Sequence, residues 1–195
     1  PEHDPRRTQP GGIYLARRFG EAGRRLQLIV LDTRWDLSPR VPREDGGRGR
    51  YQPGDGHILG PAQWSWLEKR MKEPADLRIV VSSIPFGAEY TGWETWANFP
   101  AEQERLVELL TRAGPVLVVS GDVHYGELSQ YRGIVDFTTS GLAGHAYPPQ
   151  DNAFRMDELA YHGNNFGMVD IDWKERRVDL VLHERRGTIA FERSF

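Results

Sequence analysis

Pro115-Val-Leu-Val-Val-Ser-Gly-Asp-Val-His124 is the stretch on which the reading of this chain turns. An apolar run of this length, launched by Gly114 and cut off by polar residues, predicts a strand covered on both faces. Open α/β sheets place their chemistry just beyond the carboxyl ends of such strands. In extended backbone, residues two apart point to the same side. Asp122 and His124 are therefore expected to present a carboxylate and an imidazole to one point, as a metal site requires. The plainer alternative is a turn in which Asp122 caps the next segment and His124 is a partly buried polar residue. An oxygen and a nitrogen donor without sulfur suit Zn, Fe, Mn or Ca and separate none of them.

Working upstream, the same strand-then-helix rhythm recurs. Residues 12–19 and 25–31 read as a strand pair around the turn-prone Gly20-Glu-Ala-Gly23, and the second ends in Asp32-Thr33-Arg34. Residues 36–57, rich in Pro, Gly, Arg and Asp, predict a long mobile loop. Gly60-Pro61 opens a helix to about Glu73, with Trp64, Leu67 and Met71 on one stripe. A short buried strand follows at 78–83, and residues 90–96 read as an aromatic loop. A second helix starts at 98–100 and shows Leu106, Leu109, Leu110 and Ala113 at helical spacing. Downstream, 134–139 is a strand and 140–165 is expected to be irregular. Segments 169–173, 178–182 and 188–191 form an antiparallel meander. The fold class is α/β with mixed sheets, in one domain over residues 1–195.

Composition narrows the function. A net charge of -3 offers no basic stripe for nucleic acid. Only Lys69, Lys72 and Lys174 among the 25 basic residues are lysines, an arginine bias that reads more simply as codon usage than as phosphate recognition. There is no cysteine, so disulfides and thiolate metal sites are excluded. No run approaches the roughly 18 apolar residues of a membrane span, and no signal peptide pattern is present. The chain opens on Pro1, which suggests a processed or fragmentary product.

Other candidates rank below Asp122 and His124. Arg34 offers a planar fork for a phosphate, or a local partner for Asp32 or Asp36. His145 and His162 lie in the irregular segment near Gly144, Gly163 and Asn164-Asn165, where a loop could bring them toward a strand-end site. His3 and His57 read as solvated, and His183 as structural. Ser82-Ser83 lacks the Gly-x-Ser-x-Gly elbow of a serine hydrolase.

The order of motifs closely resembles the alkaline phosphatase D family, the PhoD-like metallophosphatases. The specific blocks are Gln63-Trp-Ser-Trp-Leu-Glu68 and Gly121-Asp-Val-His124. Suggestive by order are Gly12-Ile-Tyr14, Leu31-Asp-Thr-Arg34, Ser82-Ser-Ile-Pro85, Gly92-Trp-Glu-Thr-Trp-Ala-Asn-Phe-Pro100, Thr139-Ser-Gly-Leu142 and Asn164-Asn-Phe-Gly167. The likeness spans nearly the whole chain.

The resemblance implies a metallophosphoesterase-like four-layer α/β/β/α sandwich, here without its N-terminal part. It also implies hydrolysis of phosphate monoesters or diesters, with a metal-bound hydroxide attacking phosphorus in line. Asp122 and His124 correspond to the last metal-ligand motif, where related enzymes often carry Gly-His-x-His. Asp in place of the first His favours harder ions such as Fe, Mn or Ca, two or more of them. Asp32 is carried over as a further ligand and Arg34 as a catalytic and phosphate-binding residue. His145, His162 and Asn165, from the irregular segment, are the expected substrate-binding groups. The family's first ligand blocks have no counterpart between Pro1 and Leu31, so a separate N-terminal chain is an expected partner beside the phosphate ester. A periplasmic or secreted location follows from the resemblance alone. Two other readings stay in view: an inactive binding module on the same fold, and a serine esterase using Ser83.

Overall fold

The computed structural model describes residues 11–46, 49–90 and 92–195, and His3 lies outside them. In chain order the strands are β1 (Leu15–Phe19), β2 (Leu26–Val30), β3 (Val41–Pro42), β4 (Tyr51–Gln52), β5 (Leu77–Val81) and β6 (Val116–Ser120). They continue with β7 (Gly126–Tyr131), β8 (Ile134–Thr139), β9 (Arg155–Tyr161), β10 (Asn165–Asp172), β11 (Arg177–Glu184) and β12 (Ile189–Ser194). Two helices, α1 (Pro61–Met71) and α2 (Pro100–Arg112), precede β5 and β6.

A seven-stranded sheet in the order β1-β2-β5-β6-β8-β7-β9 organises the molecule. Its centre, β2, β5, β6 and β8, is parallel, as predominantly apolar runs favour when both faces are covered. The pleat sorts the side chains. Val80, Val118 and Ile134 join Trp64 and Leu67 of α1 and Leu106 of α2 in one core. Ile79, Leu117 and Phe137 point the other way and meet Leu180 and Leu182 of β11 in a second core. The antiparallel sheet β10-β11-β12 thus packs on the face opposite the helices. The result is a mixed α/β fold of helix, sheet and sheet layers. A second helical layer, outside the small sheet, is not seen among the described residues.

Buried polar residues tie these layers together. Arg78 on β5 donates to Gln27 Oε1 at 2.9 Å and to the Met71 and Glu73 carbonyls at the end of α1. It also donates to the Ala113 carbonyl, so one guanidinium closes the C-termini of both helices, where free carbonyls and the helix dipole favour a cation. Glu102 on α2 accepts the backbone amides of Ile58 and Leu59 and the indole N–H of Trp64, each at 3.0 Å. Gly114 follows the C-cap of α2 with φ +94° and open space around a hypothetical Cβ. Gly114→Ala is therefore expected to cost about 1–2 kcal/mol from backbone strain alone. Urea unfolding checks this, and an unchanged midpoint would refute it.

Three expectations need correction. Residues 126–131 form β7, joined to β8 by Arg132-Gly133 at φ 48° and 83°, the two left-handed positions of a tight hairpin. The reading missed this strand because Glu127 and Ser129 are polar yet buried, which hides an alternating pattern. Within the expected irregular segment, 155–161 forms β9. Its Asp157 and Glu158 have positive φ, and its pairing with β7 shifts register opposite Glu127 and Ser129, a bulge that scrambles period two. The 36–57 segment, expected to lack elements of its own, carries the β3–β4 ribbon. That ribbon is tied to the 92–98 loop by Arg50 N–H to the Gly92 carbonyl and Gly54 N–H to the Asn98 carbonyl.

Candidate functional site

The parallel strands β2, β5, β6 and β8 all deliver their carboxyl ends to one edge of the large sheet. The segments that leave there are Leu31–Arg34, Ser82–Ser83, Gly121–His124 and Ser140–Tyr147. β6 stops at Ser120, and Asp122 and His124 then take left-handed conformations, φ 79° and 60°. Two consecutive-but-one non-glycine residues held at positive φ cost energy that the surroundings must impose. The extended geometry expected of this segment is thus corrected: a turn, not a continued strand, sets the two side chains.

His124 is oriented from behind. Its Nδ1 lies 2.8 Å from the His145 carbonyl oxygen, and its ring stacks on Tyr147 at 5.2 Å between centroids. A carbonyl only accepts, so Nδ1 carries a proton, and in the neutral imidazole Nε2 then keeps its lone pair. This second-sphere bond is the one metal-ligating imidazoles usually make. Tyr147 N–H returns a bond to the His124 carbonyl, so the 144–147 loop and the His124 turn hold each other.

Asp122 sits beside this imidazole, close enough for its ionisation to feel His124. Burial pushes the Asp122 carboxyl above its ordinary value, Arg34 opposes that, and Glu94 reinforces it. Arg34 Nη2 lies 3.2 Å from Asp122 Oδ1, while its Nη1 pairs with Glu94 Oε2. Glu94 Oε1 pairs with Arg40 Nη2. Arg40, Glu94, Arg34 and Asp122 form one alternating chain of charge ending next to His124.

The other sequence-derived residues are placed differently. Asp32 is buried and accepts backbone amides from Ile13 at 2.8 Å, Arg34 at 2.9 Å and Trp35 at 3.0 Å. Burial works to raise its pKa, but these three donors outweigh it and the pKa is lowered. Its backbone is clamped by Gln63, whose amide bonds both Asp32 N–H and Asp32 C=O at 2.8 Å. Asp32 therefore shapes the loop that aims Arg34, with its oxygens already engaged. His145 is exposed and contributes its carbonyl; His162 reaches the Ala146 carbonyl at 3.4 Å and braces the same loop. Asn165 is buried and donates to the Gly163 carbonyl at 2.8 Å. It lies so near Gly141 that a Cβ there would come within 2.1 Å of its Nδ2. Asn165 thus packs the 141 and 163 turns together through Nδ2, while its buried Oδ1 has no hydrogen-bond partner among the described residues. Ser83 pairs with the Thr33 hydroxyl, which cannot serve as a general base.

Sequence reasoning missed Glu94, Arg40 and Gln63. Gln63 lay within a quoted block, and its burial on the helix face that meets the sheet was the available signal. Glu94 also lay within a quoted block, Gly92–Pro100, but nothing in the sequence pairs it with Arg34, and Arg40 had no signal because a loop brings it in from a separate segment. Among the described residues, no cluster of three His, Asp or Glu groups suits a metal ion. Asp122 and His124 are two neighbouring donor groups.

A family model described as PhoD-like phosphatase matches residues 2–182. The chain belongs to the PhoD-like phosphatase family. No curated protein matches its sequence. Among solved structures, the fold is similar to "GAP50 the anchor in the inner membrane complex of Plasmodium", with a TM-score of 0.64 and 17% identity over 95% of this chain and 54% of that one. It is also similar to a structure of PhoD, with a TM-score of 0.65 and 18% identity over 86% of this chain and 37% of that one. The chain spans about half the length of the first neighbour and less of the second. At these identities the likeness is one of fold, and it agrees with the mixed α/β architecture. The family match, over residues 2–182, spans the carboxyl edge where Asp122 and His124 lie.

Proposed function

We propose that this PhoD-like chain supplies part of a metal-dependent phosphoesterase site, with Asp122 and His124 as metal ligands and Arg34 as a phosphate anchor. The observation that carries this reading is the His124–His145 carbonyl bond, which fixes the tautomer and leaves Nε2 free to ligate. The donor set fits a metal ion: one oxygen, one nitrogen and no sulfur, compatible with Fe, Mn, Ca or Zn. When bound, such ions would polarise the phosphoryl oxygens and lower the pKa of water. Two protein ligands leave most coordination positions open for water, phosphate and further groups.

The chain's own residues do the rest. Arg34 presents a planar fork beside Asp122 and can hold two phosphoryl oxygens, which orients the ester for in-line displacement. Gln63 and Asp32 fix the loop from which Arg34 projects, and Tyr147 fixes the plane of the imidazole. Arg34 also neutralises Asp122, so metal binding and the Arg34–Asp122 ion pair draw on the same carboxylate. Monoesters and diesters both fit this chemistry.

The test is turnover of p-nitrophenyl phosphate and bis-p-nitrophenyl phosphate by the protein loaded with Mn²⁺, Fe²⁺, Ca²⁺ or Zn²⁺. Turnover is expected with at least one ion and is expected to vanish with chelator. Chelator-resistant turnover would overturn the metal assignment. A metal-free, inert protein would favour the second reading, a non-catalytic module, which the fold shared with a Plasmodium protein described as an anchor also supports.

A further inference from the structure

Glu94 occupies an unusual position for a surface-loop carboxylate. Its two oxygens are held by two different arginines, Oε2 by Arg34 Nη1 and Oε1 by Arg40 Nη2. That is how two non-bridging oxygens of one phosphoryl group would be held between two guanidinium forks. The loop under Glu94 is pinned. Thr95 is fully buried, its N–H bonds Asn98 Oδ1 at 2.9 Å, and its hydroxyl bonds the Tyr90 carbonyl at 2.8 Å.

Arg40 is equally fixed. Its side chain is only 19% exposed, and its guanidinium lies 4.8 Å from the centre of the Tyr51 ring on β4. Its Nε is buried with no hydrogen-bond partner among the described residues, an expensive arrangement for a strong donor. Carboxylate against two guanidiniums leaves donors unused. A phosphate ester has more charge and more acceptor lone pairs for the same two forks.

We propose that Arg34 and Arg40 form a two-arginine clamp for the substrate's phosphoryl group, and that Glu94 occupies the clamp until substrate displaces it. The inference rests on the phosphoesterase reading for the identity of the ligand. Within that reading it makes Arg40 a second specificity-determining residue and Glu94 a built-in competitor. A dianionic phosphate, able to engage both forks, is favoured over ligands of lower charge. The β3–β4 ribbon gains a role as well, because it is the element that delivers Arg40 and Tyr51.

A purely structural Glu94 and a competitive one give opposite signs. Inorganic phosphate is titrated into the protein by calorimetry at constant ionic strength with chelator present, so the arginines are read without metal. Glu94→Gln, which keeps the shape and removes the charge, is expected to bind phosphate about tenfold more tightly than wild type. Glu94→Ala should shift in the same direction, and Arg40→Gln should bind about tenfold more weakly. Phosphate binding that is unchanged or weakened in both Glu94 variants overturns the clamp, as does an Arg40→Gln protein that binds like wild type. No detectable binding by any variant overturns it too. The two proposals separate cleanly. Phosphate affinity governed by Glu94 and Arg40 without metal-dependent turnover would remove the enzyme reading alone. Turnover with no effect of Glu94 would remove the clamp alone.

Discussion

His124→Ala is expected to lower metal-dependent ester hydrolysis by more than about 100-fold, the loss that removal of a supporting second-sphere group alone can produce. In the proposed site the substitution deletes one of two protein ligands and leaves Asp122 to Arg34, with which it is already paired. Calorimetric titration of Mn²⁺ or Zn²⁺ should show the same loss of affinity, placing the defect in binding. The neighbouring position makes a sharp control. His145 orients His124 through its backbone carbonyl, and its own side chain is exposed. His145→Ala should therefore leave metal affinity within about threefold of wild type. Equal losses in the two variants would mean that the exposed imidazole, not the carbonyl, carries the function. Unchanged metal affinity in His124→Ala would end the ligand assignment.

How much of this site could be read from the sequence depended on whether its residues came from one strand end. Asp122 and His124 were legible because a run of Val and Leu ends at Val119, just before them, and a covered strand has few other ways to finish. The conformation was not legible: both residues sit at positive φ, a state that tertiary contacts impose on non-glycine residues. Asp32 shows what the strand-end pattern leaves out. A carboxylate at a strand end suggests a ligand, but only the folded loop reveals the three backbone amides already directed at it. The helices and the parallel strands were readable because helical spacing and predominantly apolar runs dominate their patterns. β7 was not, because Glu127 and Ser129 occupy inward positions that a pattern of hydrophobicity assigns to solvent. Those same inward polar groups dominate how the molecule should respond to pH.

The protein is expected to be more stable at pH 5 than at pH 8, with the loss spread between about pH 4.5 and 7. Glu127 is 2% exposed, and burial pushes its carboxyl up to about 7. The Asn152 amide and Arg155 oppose that rise, while Asp136 adds to it. Asp136 is fully buried, and desolvation lifts it to about 6 despite bonds from Gly87 N–H, Ser120 Oγ and Phe86 N–H. Nearby, Tyr90 and Tyr125 share a hydroxyl–hydroxyl bond of 2.8 Å, also in a desolvated setting, so they add nothing to the charge stabilisation from Arg155, 3.5 Å from Glu127 Oε2. Both acids ionise more readily in the unfolded chain than in the folded one. Between the unfolded and folded values the native state therefore holds more protons, and stability falls as pH rises. The contribution is fully present below the unfolded values and is lost as pH passes the folded ones. At about 1.4 kcal/mol per pH unit of displacement, Glu127 alone accounts for roughly 3 kcal/mol. Asp32, Asp76 and Asp179 are shifted the other way, but their stabilisation is lost only as pH falls through values below 3.8, outside this window. Thermal melting of the metal-free protein across pH 4.5–8 checks the slope, and Glu127→Gln isolates its source. The variant should gain stability over wild type at pH 8 and match it near pH 4.5. A wild-type protein that stabilises on going from pH 5 to 8, or a Gln variant that melts earlier at pH 8, would show that Arg155 and Asn152 hold Glu127 ionised in the native state.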